Sequence, residues 1–168
     1  MKTVSILLAG VCSCTSMSCL NPFAPKLETD IPAKSCYDLT MIENVYCSFH
    51  DAYAFKDTLL YGSLLAPEFS FSYRDYDRGV DVSWGRDDEM RSTHRLFESV
   101  QSLNLIWNNR ISSDSTETRW SIIRGFNLTV TFNPGDIERV DGYANFTMTR
   151  EHAGDAWRIF HWRDESNF

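Results

Sequence analysis

At 168 residues, with 43% hydrophobic and 14% aromatic side chains, the chain suits one well-packed domain and is too apolar for wholesale disorder. A formal charge of −7 with no Lys/Arg cluster opposes a polyanion, so no nucleic acid is expected among its partners.

The N-terminus has three zones. Met1-Lys2 is a short positive start, Val4 to Val11 is apolar, and Ser13 to Ser18 is small and polar. This is the layout of a secretory signal peptide, and the apolar zone is far below the ~18–20 residues that span a bilayer. Residues 1–18 are therefore expected to be removed. Ser16 and Ser18 stand at −3 and −1 from Cys19, and the segment resembles a bacterial lipoprotein signal, with Cys14 as the alternative acceptor. That resemblance implies an extracytoplasmic protein anchored to a bacterial cell membrane by lipid on Cys19; simple secretion is the alternative. Residues 19–35, with Pro22, Pro25 and Pro32, read as a tether, leaving 36–168 as the domain.

Two cysteines fall in that domain, Cys36 and Cys47. If both lie on one helix, the eleven-residue separation places them roughly 16 Å apart, beyond any disulfide. They are expected as small buried or half-buried thiols, with no disulfide framework. Leu39, Ile42, Tyr46, Phe49 and Tyr53 then recur at three- and four-residue spacing, one face of a first helix. Ser35, three residues before Asp38, suggests its start. After a break near Lys56-Asp57, Thr58 to Leu65 reads as a second helix ended by Pro67. Phe69 to Tyr73 alternates as a strand.

The charged stretch Arg74 to Ser83 reads as a loop. A third helix follows, with Asp87, Asp88 and Glu89 in the first turn where the dipole favours them. Met90, His94, Phe97 and Gln101 continue one side of it. The remainder reads as sheet: Leu103 to Trp107, Trp120 to Arg124, Phe126 to Phe132, a turn at Asn133-Pro134-Gly135-Asp136, Val140 to Arg150 and Ala156 to Asp164. Helices first and hairpin-linked strands last predict an α+β domain in which about three N-terminal helices cover an antiparallel sheet.

The order of these pieces resembles the nuclear transport factor 2-like superfamily, which includes SnoaL-like cyclases and ketosteroid isomerases. The residues that carry it are the first-helix stripe, LLAPEFSF at 64–71, SWGR and EM within 83–90, and WRIFHWRD at 157–164. The resemblance implies a curved sheet wrapped round the helices, a cavity at the open end of the cone, and a homodimer. It implies no single activity, because enzymes and binding proteins share the scaffold.

Isomerases of that superfamily pair an Asp base with oxyanion donors. The nearest ingredients here are Tyr46, His50, Asp51 and Tyr53 on the first helix, with Asp141, His161 and Asp164 on later strands. They do not match the isomerase pattern residue by residue. Trp107, Trp120, Trp157 and Trp162 lie on strands, where aromatics pack cores and also line organic-ligand pockets. The candidate pocket is therefore Tyr46, His50, Tyr53, Trp107, Trp120, His161 and Trp162. No two histidines have metal-ligand spacing beside a carboxylate, so neither metal nor cofactor is expected. The expected function is a non-catalytic domain that binds a small apolar or amphipathic ligand or a protein partner. An isomerase, dehydratase or cyclase and an accessory dimerisation domain are the alternatives.

Overall fold

The computed structural model describes residues 36–166. The expected signal peptide, the tether and Cys19 lie outside the described residues. Three helices precede most of the sheet: α1 (Ile42–Ala54), α2 (Thr58–Leu64) and α3 (Arg86–Ser99). The strands are β1 (Leu65–Asp75), β2 (Val80–Gly85), β3 (Ser102–Ser115), β4 (Arg119–Asn133), β5 (Asp136–Thr149) and β6 (Arg158–Ser166), in the sheet order β2-β1-β6-β5-β4-β3. This is the expected α+β arrangement, with helices in the hollow of a curved sheet. None of the described helices is long and apolar enough to cross a membrane.

The first helix buries Ile42, Val45, Tyr46, Phe49, Ala52 and Tyr53, the periodic face that the sequence shows. It starts later than expected, and the reason is local. The Asp38 carboxylate accepts from the Thr40 amide at 3.1 Å and its hydroxyl at 2.6 Å, a side-chain turn that competes with helix. Cys36 therefore precedes the helix rather than riding on it. The chain doubles back, the two Cα atoms lie 5.4 Å apart, and Cys36 and Cys47 form a disulfide. The expectation of two free thiols is corrected. Ser48 adds a hydrogen bond to the Cys36 carbonyl at 2.6 Å.

Lys56, at φ +55°, ends α1, and the Asp57 side chain caps α2 by accepting from the Leu60 amide at 2.9 Å. The stretch expected as a loop, Arg74 to Ser83, is instead the end of β1, a turn with Gly79 at φ +68°, and most of β2. Its strand character lies in Val80, Val82 and Trp84, which alternate with Asp81 and Ser83. Phe71 and Trp84 are register partners with stacked rings 4.4 Å apart. The two segments expected from Trp120 to Phe132 form one continuous strand, β4.

The sheet is mixed rather than wholly antiparallel. Hairpins join β1 to β2, β3 to β4 and β4 to β5, and β6 returns to lie between β5 and β1, running parallel to β1. No local signal specifies that last pairing, because its two strands come from opposite ends of the domain. It sets Phe71 beside Trp162 and Tyr73 beside Asp164. The concave face thus carries Phe71, Trp162, Phe146 and Ile122 in one cross-strand row, with Trp107 and Phe126 paired in a row above. Phe49 of α1 is the hub of the packing. Its ring centroid lies 4.9 Å from Tyr53, 5.4 Å from Tyr61 and Trp107, 5.7 Å from Phe146 and 5.6 Å from Trp162. Such contacts add about 0.5–1.5 kcal/mol per pair beyond area burial.

Candidate functional site

A cavity of about 270 Å³ remains where the helices stop short of the sheet's concave face. Its walls are Phe49 and Tyr53 from α1, Leu96 from α3, Leu105 and Trp107 from β3, Phe126, Leu128 and Val130 from β4, Val140 from β5, and Trp162 and Asp164 from β6. Strand alternation explains the selection, since 105 and 107, 126 to 130 and 162 to 164 step in twos along the inward face. Asp164 is the one ionisable carboxylate among these residues, and no Lys, Arg or His joins it.

Asp164 is held rather than paired. Its Oδ1 accepts from the Ser166 amide at 3.1 Å and its Oδ2 from the Ser166 hydroxyl at 2.9 Å. No ion pair to it forms among the described residues; Arg163, next in sequence, points to Asp81 and Glu165 instead. Burial raises the Asp164 carboxyl above its ordinary value, and the Ser166 hydrogen bonds oppose that rise in part. Tyr53 is pushed up as well, first by burial and then by the charges of Glu89 and Asp164.

A second buried carboxylate makes the contrast. Glu89, 5% exposed, accepts from the Tyr61 hydroxyl at 2.6 Å, from Trp84 Nε1 at 2.7 Å and from the Thr93 hydroxyl at 3.1 Å. These neutral donors occupy both of its oxygens and bind α3 to α2 and β2. Its chemistry is structural.

The sequence candidates separate in space. Tyr53, Trp107 and Trp162 line the cavity. Tyr46 sits behind it, against Trp107 and Phe146, with Arg124 4.6 Å over its ring and burial driving its hydroxyl far up. Glu43 holds Arg124 and Arg110 at 2.8 and 3.0 Å. His50 lies half exposed beside Asp51 at 3.0 Å. Trp120 packs on Trp157 away from the cavity. His161 is on the opposite sheet face, between the hydroxyls of Ser70 at 2.8 Å and Ser72 at 3.3 Å, and burial lowers its pKa. His94, expected on the apolar side of α3, is exposed and faces Glu98 at 3.4 Å. Tyr46 Oη and Trp162 Nε1 are buried without a hydrogen-bond partner among the described residues.

Sequence reasoning named Asp164 only as one ingredient among several. The signal that selects it is the two-residue step from Trp162, which puts both side chains on one face.

No protein-family model matches the chain, and no curated protein does. Solved structures do. A conserved protein from Planctomyces limnophilus aligns with a TM-score of 0.65 at 13% identity, over 75% of this chain and 93% of that one. A proposed dehydratase of the nuclear transport factor 2-like family from Streptomyces avermitilis aligns with a TM-score of 0.60 at 14% identity, over 75% of this chain and 94% of that one. The fold is the nuclear transport factor 2-like cone. A proposed scytalone dehydratase from Novosphingobium aromaticivorans shares this cone with a TM-score of 0.61 at 12% identity, over 76% and 82% of the two chains. At such identities the likeness concerns the nuclear transport factor 2-like backbone and leaves the chemistry to this chain's own residues.

Proposed function

We propose that this domain binds a small, largely apolar molecule in the hollow of the cone and does not transform it. The observation that carries this reading is the cavity itself: largely apolar walls with a single charged group, at a volume near the lower end of ligand pockets. Catalysis of the isomerase type needs a base facing a pair of carbonyl-polarising donors. Asp164 faces aromatic rings, and both candidate histidines, His50 and His161, lie outside the cavity.

Export and lipid anchoring at Cys19 belong to the same proposal. The Cys36–Cys47 disulfide supports them, because such bonds persist in oxidising compartments. The test is purification of the full chain from membranes followed by mass spectrometry. A lipid-modified N-terminus at Cys19 and a retained small molecule are expected; an intact Met1 in the cytosol, or a chain that binds no apolar probe, overturns the corresponding half.

One observation favours a second reading, a dehydratase-type enzyme like those proposed for the two dehydratase neighbours. Asp164 and Tyr53 border the same largely apolar space, which is where a base and a donor would act. Turnover of a bound hydroxy compound that vanishes in both Asp164→Asn and Tyr53→Phe would establish it. Self-association is proposed on separate ground, the exposed Ile106 and Tyr143 on the outer face of β3–β5. Sedimentation of the wild type as a monomer at micromolar concentration would exclude it.

A further inference from the structure

We infer that the cavity selects a protonated amine carrying a small apolar body. This rests on the binding reading above and adds the charge of the ligand. Five aromatic residues, Phe49, Tyr53, Trp107, Phe126 and Trp162, border the space together with the Asp164 carboxylate. Aromatic faces are electron-rich and attract an organic cation, and the attraction grows when the site is desolvated. A carboxylate set among such rings supplies the counter-charge and a hydrogen-bond acceptor.

The bonding of Asp164 leaves room for that role. An ionised carboxylate has about four acceptor positions, and Ser166 fills one on each oxygen. Even with the Glu165 amide also contributing, the group retains acceptor capacity for an N–H donor. Glu89 shows the alternative outcome for a buried carboxylate in the same fold, where Tyr61, Trp84 and Thr93 occupy it with neutral donors. Asp164 has no equivalent set and no Arg, Lys or His ion pair among the described residues, so its buried charge is poorly compensated until a cation arrives.

The opposite ligand charge is disfavoured by the same inventory. Among the described residues no basic side chain borders the cavity; Arg124, on the same face of the sheet, is engaged by Glu43 at 2.8 Å. An anionic ligand would meet Asp164 with no compensating cation. Size narrows the class further. A 150 Å³ apolar cavity accepts benzene, so 270 Å³ suits a body of about ten non-hydrogen atoms.

The test uses four probes of one shape on the full chain at pH 7: benzylammonium chloride, benzyl alcohol, toluene and benzoate, titrated by calorimetry and by quenching of tryptophan fluorescence. Benzylammonium is expected to bind about tenfold tighter than benzyl alcohol, and benzoate most weakly. In Asp164→Asn the amine preference should vanish while the affinity for toluene stays within about threefold, which also reports that the cavity is intact. Equal binding of amine and alcohol, tightest binding of benzoate, or an amine preference that survives Asp164→Asn overturns the inference and leaves the binding reading in place. Failure of all four probes overturns both. Should the variant not fold, the ranking in the wild type decides alone.

Discussion

Gly142 on β5 and Ser166 on β6 are register partners, and their backbones lie so close that a methyl group on Gly142 would stand 2.3 Å from the Ser166 Cα. The approach matters because Ser166 supplies two of the hydrogen bonds that hold the Asp164 carboxylate. A residue without a side chain on one strand thus allows the next strand to position the polar group of the cavity.

Gly142→Ala should therefore cost about 1–3 kcal/mol, the usual range for forcing atoms into a filled space. The obstruction is backbone, which cannot swing aside as a side chain can. A denaturant midpoint unchanged from wild type would show that the strands separate at no cost.

Asp164 gives a pH-dependent prediction. Its folded pKa is raised by burial, so the stability tied to its protonated form is complete below its unfolded value and is lost as pH rises through the folded one. At pH 7 the ionised group is a burden on the apo fold. Asp164→Asn should melt higher than wild type at pH 7, and the two should converge near pH 3. A variant that melts lower at neutral pH would show that the ionised carboxylate stabilises the fold.

Glu89→Gln tests the buried three-donor site. The amide can place its oxygen toward Tyr61 and Thr93, but its NH₂ then meets Trp84 Nε1–H, donor against donor. About 1–3 kcal/mol should be lost. Trp84→Phe in the same background should recover part of that cost in a double-mutant cycle, and strict additivity would contradict the contact.

The disulfide closes a short loop, so replacing both Cys36 and Cys47 with Ser should lower stability by about 2–3 kcal/mol. Thermal melts with and without reductant provide the check: reductant should shift the wild type toward the variant and leave the variant unmoved.

Much of this architecture is legible in order of residues. The α1 stripe, the break at Lys56, the acidic first turn of α3 and the long run of alternating strands are local patterns, and local patterns report which face of an element is apolar. Charges obscured β2, because Asp81 and the charged run Arg74 to Arg78 before it masked the alternation of Val80, Val82 and Trp84. The disulfide was missed through an early helix start, which a three-residue turn at Asp38 displaced. Among candidate residues, Tyr53, Trp107 and Trp162 meet at the cavity, whereas His161 is one residue out of step with Trp162 and faces the other side of the sheet.

By itself the sequence determined the apolar face of the first helix, much of the order of helices and strands, and a net charge of −7, since these depend on residue type and periodicity. Only the tertiary structure decided that β6 lies between β1 and β5, that Glu89 is consumed by Tyr61, Trp84 and Thr93, and that Asp164 shares a cavity with rings from three other elements. Those outcomes depend on contacts between segments distant in the chain. No local spacing encodes them; closure of the sheet around its helices does.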